Sequence, residues 1–161
     1  MPREANLRLI NTLVQYFIRV NDMLNNDELI SVIFYLAGGR IRGLTRLQKI
    51  VSLAKMILDD SFGFESWIED ILKELEEKGL LKVYTEEPDL SYESFGEYSV
   101  RTYIASRDLI KRGREVFKEL KMLDPIRAMY IKRLVRNAVN NVDLTHLNAL
   151  IAYFYYKQII K

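Results

Sequence analysis

The chain has 161 residues, 49% apolar and 29% charged, enough to bury one sizeable core and unlike a disordered composition. It holds no Cys and a single His, which excludes a disulfide framework, a thiolate nucleophile and a sulfur metal site. The net charge of +2 conceals a polarity, with +4 over residues 1–58, −10 over 59–97 and +8 over 98–161.

One soluble domain spanning 1–161 is expected, with an N-terminal helix over 3–24, a core over 27–120 and further helices over 124–161. No apolar run approaches the roughly 20 residues needed to cross a bilayer. The first residues, Met1-Pro2-Arg3-Glu4, lead into an amphipathic pattern unlike a signal peptide, so a cytoplasmic location without membrane association is expected.

Leu7, Ile10, Leu13, Val14, Phe17 and Leu24 recur at helical spacing and predict the first helix, which the polar run Asn21 to Asn26 ends. Asp27 is read as the cap of a second helix whose inner face is Leu29, Ile30, Ile33, Phe34 and Ala37, with Gly38-Gly39 as its stop. Residues 38–43 are read as a glycine turn. Thr45 and Gln48 have capping-box spacing before a third helix with the stripe Leu47, Ile50, Val51, Ala54, Ile57 and Leu58.

Ser66 and Glu69 repeat the capping signature ahead of Ile68, Ile71, Leu72 and Leu75, and Gly79 with Leu80 should close that helix. Leu81 to Thr85 and Tyr98 to Ile104 are rich in β-branched and aromatic residues and predict a hairpin, with the polar segment Glu86 to Glu97 as a long tip. Ser106 opens a helix burying Leu109, Ile110, Val116, Phe117 and Leu120. Asp124-Pro125 starts another, and Leu144 to Ile160 reads as the last.

Helices, a hairpin and a following helix in this order predict a mainly α fold of the winged helix-turn-helix type, with extra helices at both ends. The block GRIRGLTRLQKIVSLAK from Gly39 to Lys55, Phe62-Gly63, LKELEEKGLLKV from Leu72 to Val83 and RDLIKRGREVFKEL from Arg107 to Leu120 resembles an archaeal family of winged-helix proteins described as regulators. More distantly it is similar to the Panacea-type antitoxin domain. This chain has Phe64-Glu65-Ser66 where members of that family tend to carry Pro-Tyr-Ser after the Phe-Gly. The resemblance implies the winged-helix fold.

A winged helix that reads DNA places its third core helix in the major groove and its wing on the backbone. Here that helix carries Glu65, Glu69, Asp70, Glu74, Glu76 and Glu77, and the hairpin tip carries Glu86, Glu87, Asp89, Glu93 and Glu97, all repelled by phosphate. Contacts to double-stranded DNA are therefore assigned to Arg40, Arg42, Arg46 and Lys49 with Arg107, Lys111, Arg112 and Arg114, or to Lys132, Arg133 and Arg136. The alternative is that these cations solvate helix faces and that Glu69, Glu76 and Glu77 dock a basic protein partner. Tyr153, Tyr156 and Ile160 lie off the apolar stripe of the last helix, which points to a homodimer through the terminal helices.

No enzyme is expected. His146 is read as a capping or surface residue, and the Gly38 to Gly43 stretch has Arg where a nucleotide-binding glycine loop needs its second Gly. Neighbouring carboxylates such as Glu69-Asp70 point apart on a helix, so neither metal nor cofactor is expected.

Overall fold

A computed structural model describes residues 6–10, 24–59, 67–86, 100–140, 148–150 and 152. Its elements are α1 (Asn26–Leu36), β1 (Arg40–Arg42), α2 (Leu44–Asp59), α3 (Trp67–Glu77), β2 (Leu81–Glu86), β3 (Val100–Ala105), α4 (Arg107–Leu123) and α5 (Pro125–Asn140). The protein is mainly helical, with one small antiparallel sheet in the order β1-β3-β2. Residues 6–10 and 148–150 are also helical, while the remaining residues of the two expected terminal helices and of the expected hairpin tip beyond Glu86 lie outside the described residues.

α1 begins one cap earlier than expected. Asn25, not Asp27, accepts from the Glu28 N–H at 2.8 Å, and Glu28 Oε1 accepts from the Asn25 N–H at 3.4 Å. This reciprocal pair satisfies two donors, and Asp27 moves into the first turn, where its charge complements the positive end of the helix. α2 likewise starts at Leu44, so Thr45 stands inside it and is no cap. The Gly43 carbonyl accepts from Leu47 N at 3.1 Å, which gives the cap position to Gly43.

The glycine stops behave as expected. Gly39 N–H reaches Phe34 O at 2.8 Å and Gly38 N–H reaches Tyr35 O at 3.2 Å, with Gly38 at φ 79°. Leu80 and Gly79 repeat the pattern on Leu75 O and Glu76 O at 2.9 and 3.0 Å. Both are Schellman closures, which an L side chain at the positive-φ position would strain. Ser106 caps α4 by accepting from Leu109 N. Asp124 serves two helices, donating its N–H to Leu120 O at the end of α4 and accepting from Arg127 N at the start of α5.

The stretch read as a turn contains a strand. After Gly39 the chain runs extended through Arg40-Ile41-Arg42 and pairs antiparallel with β3, Ile41 opposite Tyr103. Ile41 is 1% exposed and anchors the strand, while the two arginines face outward. On its other side β3 pairs with β2, Val83 opposite Tyr103 and Leu81 opposite Ala105.

The inner residues expected of α1 to α4 line one core, including Phe34, Leu47, Ile50, Ile68, Leu109 and Leu120, whereas Leu7 and Ile10, expected on the inner stripe of the N-terminal helix, are exposed. Each such buried side chain contributes about 1.5–3 kcal/mol relative to exposure. α4 packs tightly on α1 at Gly113, which faces the Ser31 backbone and Tyr35 Cβ, while Ser31 turns its hydroxyl back to Asp27 O at 2.8 Å. Tyr35 and Phe117 close the same interface, their ring centroids 6.0 Å apart.

Candidate functional site

The sheet turns one face to the core and rims the other with exposed side chains. Side chains alternate along a strand, and Ile41, Tyr103 and Leu81 take the inner face, so Arg40, Arg42, Lys82, Tyr84, Thr102 and Ile104 share the outer one. The register sets Arg40 and Lys82 on either side of Ile104, and Arg42 and Tyr84 on either side of Thr102. Arg40, Arg42, Lys82 and Tyr84 are exposed. Arg42 Nη2 donates to Glu86 Oε2 at 2.9 Å, an ion pair open to solvent on both sides and therefore easily exchanged for another anion. Sequence reading found the two arginines but not Lys82, Tyr84 or Thr102, because the strand that aligns them lies about sixty residues further on.

Thr102 sits at the centre of this face with 3% exposure, and its Oγ1 is buried without a hydrogen-bond partner. A buried hydroxyl without a partner costs about 1–3 kcal/mol. Thr102→Val is therefore expected to stabilise the fold by about 1 kcal/mol, raising Tm by roughly 2–4 °C in a chain of this size. Thermal unfolding by circular dichroism checks it, and a lower Tm would show that the hydroxyl is satisfied.

The four cations that crowd residues 40–49 are divided between the sheet and α2. Arg46 and Lys49 are half-buried and tie α2 to the C-terminal part of the chain. Arg46 Nη1 donates to Val139 O at 3.5 Å, a carbonyl in the last turn of α5 where the helix dipole favours a cation, and Lys49 Nζ donates to Asn148 Oδ1. Arg40 and Arg42 remain on the sheet.

On α4, Arg107, Lys111, Arg112 and Arg114 are all exposed. Helical spacing separates Arg112 from the other three and places it next to Asp108 and Glu115, four residues before it and three after. On α5, Arg133 and Arg136 are exposed and Lys132 is half-buried.

Glu69, Glu76 and Glu77 are exposed on α3, while Glu74 is paired with Lys78 at 3.0 Å. Glu69 and Glu76 come near the sheet. Burial pushes the Tyr103 phenol above its ordinary pKa, a hydrogen bond and charge from Arg101 oppose this, and the carboxylates of Glu69 and Glu76 reinforce it. Tyr153, Tyr156 and Ile160 lie outside the described residues, as does His146.

Among the described residues no three His, Cys, Asp or Glu side chains converge as metal ligands, and no helix is long and apolar enough to cross a membrane. Comparison of the chain with protein-family models, curated proteins and solved structures finds no match.

Proposed function

We propose that the protein is a winged-helix module that binds duplex DNA as a regulator or accessory factor. The order α1-β1-α2-α3-β2-β3 supports the winged-helix reading, with β1 as its short first strand. The observation that carries the function is the outer sheet face, where Arg40, Arg42 and Lys82 stand exposed around Tyr84 on a rigid three-stranded support. Guanidinium groups suit phosphate oxygens because they donate two parallel hydrogen bonds, and a fixed strand loses little entropy when it meets them. DNA then meets the sheet and the helices beyond it, not α3, whose exposed carboxylates repel phosphate.

A labelled duplex titrated at several salt concentrations tests this. Arg40→Ala with Arg42→Ala should flatten the slope of log K against log salt by about 2 units, and Glu86→Gln should strengthen binding by releasing Arg42. No duplex binding by the unaltered protein at low salt would overturn the reading. The exposed Glu69, Glu76 and Glu77 favour a second one, in which α3 docks a basic protein.

A further inference from the structure

We infer that the main phosphate contact of this protein is a single basic rail along α4, formed by Arg107, Lys111, Arg114, Lys118 and Lys121, with one backbone of a DNA duplex lying along it. The inference rests on the duplex-binding reading and names the surface that does most of the binding. All five residues are exposed, and among the described residues none makes an ion pair or hydrogen bond. Their spacing alternates between four and three residues. At about 100° per residue they fall within an arc of roughly 80°, and at about 1.5 Å rise they extend over roughly 21 Å.

The sorting of charge on this helix is what separates the rail from an ordinary solvated face. Asp108, Glu115 and Glu119 lie together on one flank beside Arg112, although helix stability favours acids and bases alternating at three and four residues. Each rail cation has another rail cation three or four residues away; Lys111 also has Asp108 and Glu115, and Lys118 has Glu115, at that spacing, but these acids stay on the flank outside the arc of the rail. Arg107 is the first residue of α4, where the positive end of the helix disfavours a cation. Lys121 in the last turn suits the helix dipole, but Arg107 and the unbroken row of like charges do not, and the row favours an external linear anion.

The partner is identified by what the rail lacks. The apolar face of α4, with Leu109, Val116, Phe117 and Leu120, is buried in the core, and Met122 is the one large apolar side chain this helix exposes, too little to anchor it in a lipid layer. No aromatic residue stands among the five positions to stack an unpaired base, as single strands require. A duplex offers one strand with a phosphate about every 3.4 Å of axis, a continuous match to such a row.

Arg114→Ala with Lys118→Ala removes two rail charges at helix-compatible positions. Against a labelled duplex it should flatten the salt slope by about 2 units and weaken binding at least roughly 30-fold at 50 mM salt. Lys73→Ala with Lys78→Ala, an equal loss of charge on α3 and just past its end, should change affinity less than about threefold, since α3 stands away from the phosphates. Circular dichroism establishes that both variants fold. If the unaltered protein binds duplex and the rail variant binds equally well, the rail is wrong while the duplex reading stands. If the unaltered protein binds no duplex, both fall. Tighter binding to the single strand, to vesicles of phosphatidylglycerol and phosphatidylcholine, or to polyglutamate at the same salt would also overturn the rail.

Discussion

Gly113→Ala is expected to destabilise the protein by at least about 2 kcal/mol, although alanine is the better helix former. A Cβ at this position would lie 2.0 Å from Ser31 O, 2.6 Å from Ser31 C and 2.8 Å from Tyr35 Cβ. Two of those atoms are backbone of α1 and cannot rotate aside. Exchanging Gly for Ala inside a helix ordinarily gains about 1 kcal/mol, whereas forcing a methyl into a filled core costs about 1–3 kcal/mol and more when backbone must move. The clash wins. It would lever α4 away from α1, opening the Tyr35–Phe117 contact and displacing the basic rail. Tm should fall by roughly 5–10 °C, and duplex affinity, measured well below the new Tm, should fall with it. An unchanged or higher Tm would mean that the two helices do not meet at this distance.

The second large effect is expected from reversing Glu69, Glu76 and Glu77 to Lys. The net charge would rise from +2 to +8. Because the carboxylates lie on α3 and the proposed phosphate contacts lie elsewhere, the gain should come from steering, not from new contacts. Association with duplex should accelerate at least about tenfold at low salt. The gain should shrink toward none near 0.15 M salt, where screening acts over about 8 Å. If α3 instead docks a basic protein, binding of that partner is lost. Slower association with duplex by a folded triple variant would show that α3 itself enters the groove. Stability should fall slightly, because Lys at positions 69 and 76 replaces carboxylates close to Tyr103 and the Arg101 that hydrogen-bonds it.

Local chemistry alone determined where α4 and α5 begin, where α1 and α3 end, and which faces turn inward. Phe34, Leu47, Ile68 and Leu109 sit on stripes of helical period, Gly79 and Gly38 can take the positive φ that a Schellman closure needs, and Asp124-Pro125 carries its cap and its first helical residue side by side. Such signals act within four residues of one another, so they are legible without the fold. The cap is Asn25 and not Asp27, two good capping residues only two positions apart, and the reciprocal bond with Glu28 is what separates them.

What required tertiary structure was everything that spans the chain. Arg40-Ile41-Arg42 is too short to show a strand period, and it becomes β1 only because β3 arrives from residues 100–105 to pair with it. That pairing gathers Lys82, Tyr84 and Thr102 around the two arginines, and the packing of α5 turns Arg46 toward Val139. Gly113 reads in the sequence as a weak helix position, and its purpose is visible only against Ser31. The spacing of the α4 cations was present in the sequence throughout. Which side of α4 faces solvent was decided by the helices that bury Leu109, Val116 and Leu120 against the core.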